Sequence, residues 1–446
     1  MKLDRTIKPK PNGAIHFKLP DIKTFYLNNG LKIYYSNKTA LPITEIKLLI
    51  HSGSRYDFIN NNGVSQLTSM LIDEGAGNLS ALEIDNELEL LGSILNIDST
   101  KEYTNMSLLT LNENLEKSLE LFSLILQNPN FKEEDFTREK EKLFTNILHN
   151  YDNPSFIAGI EFKKILFDKT PYKFPNIGSI ETVKKITNNS VKSFYKKNFF
   201  PSNASLIVVS NINEEKIISF SKKFFGTWNG EGNKKPLHVN FKKTKKRIFV
   251  IDKPDAPQSE LRIGHLAKSR KSKDFYATSV LNTILGGQFS SRINLNLRED
   301  KGYTYGAHSS FNYNSFSGYF IVSTSVKSEH TGDAIKEILY ELDKIKISIK
   351  NEEVEFAKSY LIKRYPALFE TYSQLASNIS LIPIFDLENN YFDNYTANIL
   401  SVKQSEVIKA ASENILSDEL IIVIVGDKSK VIKQLNGFSS YEVIEK

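Results

Sequence analysis

The stretch NNSVKSFYKKNFFPSNASLIVVSNINEEKI, from Asn188, and LSVKQSEVIKAASENILSDELIIVIVGDKSKVI, from Leu400, follow one plan. Each reads as a short helix, a turn, a β-branched strand, a polar turn and a second helix. They lie about 215 residues apart, so a duplicated unit of that size fills the chain. A chain built this way must fold as two similar halves, and a single large sheet or an all-helical bundle is excluded.

The intervening segments fit the same scheme. Residues 25–36, FYLNNGLKIYYS, place Asn28-Asn29-Gly30 between two apolar runs, a hairpin signal. TEIKLLIHSGSRYD (44–57) is a strand ending in a glycine turn, and LSALEIDNELELL (79–91) a helix stopped at Gly92. Residues 93–111 read as two strands about a polar turn, and 113–127 and 132–150 as amphipathic helices. The second half repeats the order: strands at 247–252 and 259–267, a helix over 274–287, an aromatic hairpin over 302–326, then helices at 330–345 and 351–369. The expected fold class is α+β, with two homologous domains in tandem, each a mostly antiparallel sheet packed with helices. The first spans 1–228 and the second 246–446. Residues 229–245, rich in Gly, Asn and Lys, read as a solvated linker rather than a nucleic-acid patch.

Composition removes several function classes. There is no cysteine, so disulfides, thiolate metal sites and a cysteine nucleophile are out. A net charge of +6 over 446 residues is a mild bias, and no basic stretch is interleaved with stacking aromatics, so nucleic acid is not an expected partner. The longest apolar runs, such as LIIVIV at 420–425, are far too short to span a membrane. Pro9, Pro11 and Pro20 suggest an extended N-terminal arm without the apolar core of a signal peptide. As written, the chain is expected in the cytoplasm, or in the periplasm if a signal preceded this numbering.

GSRYDFINNNGVSQLTSMLIDEG, residues 53–75, resembles the start of the M16 zinc peptidases, the pitrilysin and processing-peptidase group. In that family a strand ends in a Gly-Ser-Arg turn and a glycine opens a helix bearing His-x-x-Glu-His. Gly53-Ser54-Arg55 and Gly63 match this frame, which places the motif at Gln66, Ser69 and Met70. Two His at i and i+4 share one helix face and can hold Zn²⁺, with the Glu between them as base. Gln is a feeble zinc ligand, Ser cannot serve as a carboxylate base, and a Met thioether suits softer metals. The family draws its third ligand from a Glu on a later helix, with another Glu seven residues earlier. Those positions are Asn146 and Glu139 here. The resemblance implies that no catalytic residue, metal ligand or cofactor belongs to this chain. Taken alone, the helix also reads as a plain amphipathic one: Val64, Leu67, Leu71 and Ile72 facing a core, Gln66 and Ser69 facing solvent.

Residues 281–310, LNTILGGQFSSRINLNLREDKGYTYGAHSS, resemble the family's second-domain signature through Gly286-Gly287, Ser290-Ser291-Arg292, Arg298-Glu299, Gly302 and Tyr305. In two-chain bacterial members one chain bears the zinc motif and the other supplies an Arg/Tyr pair. The resemblance assigns that substrate-binding pair to Arg298 and Tyr305. A guanidinium fork suits a peptide carbonyl or carboxylate, and a Tyr hydroxyl can donate to an oxyanion. A helix-borne Arg298 and a strand-borne Tyr305 are expected to converge across the Gly302 turn. The plainer alternative is a charged helix end followed by a strand aromatic. The 58 basic residues are nine Arg and 49 Lys, so Arg292 and Arg298 mark places where a planar fork is needed, for substrate or for a structural ion pair. Residues 92–104 resemble the strand that pairs with extended substrate.

The resemblance as a whole implies a non-catalytic, substrate-binding subunit. Its partner would be an M16-type chain bearing His-x-x-Glu-His and the Zn, and the pair would act on peptides or small unfolded proteins. A non-enzymatic peptide-binding or scaffold protein of the same fold, including a homodimer, is the alternative.

Overall fold

The computed structural model describes residues 19–57, 59–230, 232, 241, 244–438 and 440–445. The expected N-terminal arm falls largely outside these residues, and so does most of the expected linker at 229–245. The first half contributes strands β1 (Ile22–Tyr26), β2 (Lys32–Asn37), β3 (Ile43–Ile50), β4 (Ile94–Ser99), β5 (Thr104–Leu111) and β6 (Ala204–Ser210). They form one sheet in the order β1-β2-β6-β3-β5-β4. The second half contributes β7 (Arg247–Asp252), β8 (Gln258–Ala267), β9 (Ala307–Tyr313), β10 (Gly318–Lys327), β11 (Ile421–Gly426) and β12 (Tyr441–Ile444). Read from β12, their order is β12-β7-β11-β8-β10-β9, the same sequence of equivalents. Within each sheet one inner pair is parallel, β2 with β6 and β7 with β11, while the neighbours of β3 and β8 are antiparallel. The outermost strand breaks the symmetry: β1 comes from before β2 and runs antiparallel to it, whereas β12 comes from the C-terminus and runs parallel to β7. The expected duplication and fold class are thus present in the strand order itself.

The helices used below are α1 (Val64–Leu71), α2 (Ala81–Leu90), α3 (Leu115–Gln127), α4 (Glu133–Tyr151), α5 (Pro154–Leu166), α6 (Asn188–Asn198), α7 (Glu214–Phe225), α8 (Phe275–Leu285), α9 (Thr331–Ile347), α10 (Asn351–Arg364), α11 (Tyr372–Ile379) and α12 (Gln404–Asn414). Helix α2 begins at a capping box, Ser80 accepting from the Glu83 amide while the Glu83 carboxylate accepts from the Ser80 amide, which fixes the boundary the sequence suggests. One face of each sheet packs on helices of its own half. In the first half α1, α3, α4, α6 and α7 supply Leu67, Leu71, Phe122, Leu143, Phe194 and Phe225 to that core.

The other face of each sheet is covered by the opposite half. Strands β6 and β11 are buried at every position, which requires cover on both faces. Helix α5 leaves the first half and lies on β8 and β11 of the second, bringing Ile157, Phe162 and Leu166 onto Phe249, Ile421 and Val423. Helix α11 makes the reciprocal crossing onto β3 and β6, with Tyr372, Leu375 and Ile379 against Tyr34, Leu49 and Ile207. Gly264 explains itself here. A Cβ at this mid-strand position would stand 2.0 Å from the Phe320 carbonyl oxygen and 2.9 Å from the Phe162 ring, so only glycine admits α5 so close.

A polar latch joins the halves beside these clusters. Arg55 is buried, pairs with Glu102 at 2.5 Å, and lies over the Phe316 ring at 5.2 Å. Glu102 also accepts from the Ser315 amide at 2.9 Å and from its hydroxyl at 3.0 Å. The Gly53-Ser54-Arg55 turn thereby ties the β4–β5 turn to the β9–β10 turn. Gly53 is required because a Cβ would meet the Thr100 carbonyl oxygen at 2.4 Å.

Phe162→Ala removes a fully buried ring and should cost about 3–5 kcal/mol. Urea unfolding should remain one transition at a lower midpoint, because Phe162 belongs to one half and packs on the other. Two resolved transitions would show that the halves unfold independently.

Candidate functional site

Helix α1 starts after Gly63, whose φ of +104° lies in the left-handed region. A side chain there is barred twice, by this φ and by the Ile177 carbonyl oxygen 2.9 Å from where a Cβ would sit. Gly178 approaches as closely from the other side: its Cβ would fall 2.3 Å from the Asn62 carbonyl oxygen. Asp57 satisfies the first amides of the helix, accepting from Gly63 at 2.7 Å and Ser65 at 3.1 Å. Burial pushes its carboxyl up to about 7 against those bonds. The scaffold of the turn and helix is therefore built from glycine geometry and a buried carboxyl cap.

The apolar residues behave as their spacing predicts: Val64, Leu67, Leu71 and Ile72 are all buried. Ser69 does not. It is buried rather than facing solvent, and its hydroxyl donates to the Gln66 carbonyl at 2.7 Å. Gln66 and Met70 are half-buried, and Met70 packs against the core. Asn146 is exposed on α4, where Asn150 donates to its carbonyl oxygen at 2.8 Å and to its side-chain oxygen at 2.5 Å. A hydroxyl already occupied, a thioether turned to the core and two neutral amides do not fit Zn²⁺, which takes imidazole, thiolate or carboxylate. Among the described residues no group of three His, Cys, Asp or Glu is arranged to hold a metal.

Glu139 does persist, buried on α4, and it gathers a charge cluster instead of a metal. Arg138 reaches Glu139 at 3.3 Å and Asp135 at 2.7 Å, and also pairs with Glu74. Lys142 pairs with Glu139 at 2.5 Å. Burial, then the Glu139 charge, pushes Glu74 up to about 7; burial, then Asp85 and Glu139, pushes Asp73 up to about 6.

The second candidate site is built on a loop whose neighbours are fastened on all sides. Gly286 ends α8 against β9, and a Cβ there would strike the Ser309 hydroxyl oxygen at 2.4 Å. Arg292 is the structural arginine of the pair: it holds Glu353 through two bonds of 2.7 Å and donates to the Ser348 carbonyl at 2.8 Å. The next residues, Leu295–Asp300, form a π-helical turn, a geometry common at functional sites. Asn296 anchors it to Glu337 and Glu341 of α9, each at 3.0 Å.

Arg298 leaves this turn half-exposed. Its guanidinium lies 4.3 Å from the centre of the Phe289 ring, itself 64 % exposed, and among the described residues its only charged contact is the adjacent Glu299 at 3.5 Å. Gly302 reverses the chain at φ +66°. Tyr303 then stacks on His330 at 4.5 Å, Thr304 donates to the Ser325 carbonyl at 2.6 Å, and Ala307 donates to Asn294 at 3.0 Å. Between these anchors Tyr305 is 92 % exposed and makes no hydrogen bond with any described residue. It precedes β9 by two residues, so it is loop-borne, not strand-borne as the sequence suggests. Arg298 lies in the π-helical turn and Tyr305 in the loop that follows it, and among the described residues no hydrogen bond or ring contact joins them. Phe289 is the member sequence reasoning missed, because no pattern marks an exposed ring nine residues before its guanidinium partner.

Residues 32–173 match the model of the insulinase-type M16 peptidases, and residues 185–361 match that of the peptidase M16 inactive domain. The chain belongs to the M16 peptidase family. It is similar to an uncharacterized zinc protease of Rickettsia felis, 27 % identical over 336 residues, 75 % of this chain and 81 % of that one. It is also similar to the non-peptidase homolog YmxG of Helicobacter pylori, 24 % identical over 411 residues, 89 % of this chain and 92 % of that one. Among solved structures, a peptidase M16 inactive domain from Pseudomonas fluorescens superimposes with a TM-score of 0.86 at 22 % identity, covering 91 % of this chain and 98 % of that one. The fold is that of M16 peptidases, and the chain is related to zinc proteases.

Two outcomes test the placement of the M16 motif. The combined changes Gln66→His, Met70→His and Asn146→Glu restore the ligand types on α1 and α4, and the variant should retain one zinc per chain after dialysis. Metal analysis that finds none would displace the alignment. The second concerns pH. Asp73 and Glu74 titrate higher folded than unfolded, so the folded chain binds more protons between about pH 4 and 7. The contribution of these two carboxyls to stability should therefore fall as pH rises from about 4 and level off above the folded values of about 6 and about 7. Glu74→Gln should flatten that fall in urea midpoints measured across the range.

Proposed function

We propose that this chain is the non-catalytic, substrate-binding subunit of an M16-type zinc peptidase. Its partner is a chain of the same fold that bears His-x-x-Glu-His and the zinc. Together they enclose peptides or small unfolded proteins, and the metal-dependent hydrolysis takes place on the partner's residues.

The observation that carries this reading is the contrast between the two sites. At α1 the glycine frame is intact while Gln66, Ser69, Met70 and Asn146 cannot serve a zinc ion. On the loop after α8, Arg298 and Tyr305 stand uncommitted among residues that are all fastened. Arg292, six residues before Arg298, is locked to Glu353, so arginine here is used in two distinct ways. In the complex Arg298 would present its donor fork to a peptide carbonyl or terminal carboxylate. Tyr305 would donate to the oxyanion that develops when water attacks the amide. The open edge of β4, within residues 92–104, offers main-chain groups to an extended peptide, which needs no particular side chains.

A second reading has its own support. The similarity to a non-peptidase homolog favours a peptide-binding or scaffold protein that cuts nothing, alone or as a homodimer. One experiment separates the two: zinc content and peptide hydrolysis of the purified chain, alone and mixed with a zinc-bearing M16 chain from the same genome. The subunit reading expects hydrolysis only in the mixture. Arg298→Ala and Tyr305→Phe should each then lower kcat/KM of the mixture by roughly 10-fold or more, the scale of a lost oxyanion or carbonyl donor. Full activity with both changes present would remove Arg298 and Tyr305 from the site. Absence of activity in every mixture would leave the scaffold reading.

A further inference from the structure

A cavity of about 640 Å³ lies where the two halves meet, well apart from Arg298 and Tyr305. Its walls come from the β4–β5 turn, α5, the segment 172–177 and the β9–β10 turn. The volume falls in the range of small-molecule sites. Much of the lining is aromatic, including Tyr103, Phe156, Phe174 and Tyr313. Helix α5 leaves a gap toward open space at Gly159, where an added Cβ would have no heavy atom within 4 Å.

Two lysines are set in this wall, Lys101 and Lys163. Lys163 has no hydrogen-bond or ion-pair partner among the described residues. Its side chain is exposed to solvent, and the protein around it still pushes its ammonium below the ordinary lysine value. Both hold for a side chain that lines the wall of a half-open recess. Lys101 donates once, to the Phe174 carbonyl at 2.6 Å, leaving two N–H bonds unanswered. Burial lowers it to about 7; Asp57 opposes that shift and Lys163 adds to it, so the two ammonium groups feel one another.

The carboxylates nearby are already engaged. Glu102 is taken by Arg55, Tyr172 and Ser315, and Asp57 by the amides of Gly63 and Ser65. Lys173, also on the wall, faces Asp168 at 3.7 Å. The recess therefore combines an apolar wall with two positive groups, of which only Lys101 has a carboxylate, Asp57, acting on it. Like charges set in one partly enclosed wall repel, and an anion that bridges them relieves this.

We propose that this cavity between the halves binds a small organic acid, its carboxylate bridging Lys101 and Lys163 and its apolar or aromatic body lying against Tyr103, Phe174 and Tyr313. The ligand would add contacts across the interface and so tighten the two halves on one another. Affinity should fall as pH rises through the value at which Lys101 loses its proton.

The test is calorimetric titration of the full chain with 3-phenylpropionate and with its uncharged amide, near pH 6 and near pH 9. Saturable one-to-one binding of the acid is expected, roughly 10-fold weaker at the higher pH and absent for the amide, on the scale of one charge-assisted hydrogen bond. Lys163→Met keeps the stem and removes the charge, and should weaken binding by a similar factor. Gly159→Leu keeps both ammonium groups and fills the recess, and should abolish binding with no loss of stability. No saturable binding at millimolar acid, equal binding of the amide, or unchanged binding in Gly159→Leu would overturn the proposal. None of these outcomes bears on Arg298 and Tyr305, so the subunit reading is tested separately.

Discussion

Each sheet in this molecule has two apolar faces and only enough helices in its own half to cover one. The crossing of α5 and α11 covers the second face of both. Strands β6 and β11, ASLIVVS and IIVIVG, are buried at every residue, and an isolated half would expose one side of such a strand to water. The exchange makes the halves obligate neighbours and sets their relative placement. That placement in turn brings the β4–β5 and β9–β10 turns together, which is where Glu102 bridges to Ser315 and where the lysine-lined cavity lies.

The persistence of the α1 frame without its chemistry follows from local sterics. Gly63 and Gly178 are held by a left-handed φ and by backbone contacts that no side chain could share, and Gly53 by the Thr100 carbonyl. None of these needs a metal. The side chains at positions 66, 70 and 146 take no part in the turn, the cap at Asp57 or the buried stripe of α1. Glu139 shows the same logic in reverse. Buried without a zinc site beside it, it is stabilised by Arg138 and Lys142, and its charge is felt in the raised Glu74 and Asp73.

What could be read from sequence was what local periodicity encodes. The hairpin at Asn28–Gly30, the helix capped at Ser80, the paired strands around 100–103 and the two copies of the helix-strand-helix unit all appear where their patterns place them. The repeat of one strand order in both halves agrees with the duplication, while the order itself was not legible in the sequence. Helices α5 and α11 gave no such signal, because the surfaces that determine them lie in the opposite half: Phe162 answers to Gly264, and Tyr372 to Tyr34 and the Lys38 carbonyl. Ser69 was misplaced for a related reason. A serine reads as polar, but in a helix its hydroxyl can bond the carbonyl a turn behind and be buried.

Arg292 before the π-helical turn and Arg298 within it show how far a sequence argument can reach and where geometry must finish it. Scarcity of arginine marked both Arg292 and Arg298, and residue type alone could not separate a structural fork from a free one. The fold separates them. Arg292 points to α10 and is held there by Glu353 and the Ser348 carbonyl, so its fork builds the platform. Arg298 lies over an exposed ring and, among the described residues, has one weak carboxylate contact, so its fork is not tied to a distant structural partner. Tyr305 is held by its neighbours and not by its own hydroxyl: Tyr303 stacks, Thr304 and Ala307 bond, and the phenol is left outside. A side chain that packing ignores while its backbone is pinned has a fixed origin and an open end. That arrangement suits a donor whose partner arrives from another molecule, since little backbone order remains to be lost on binding.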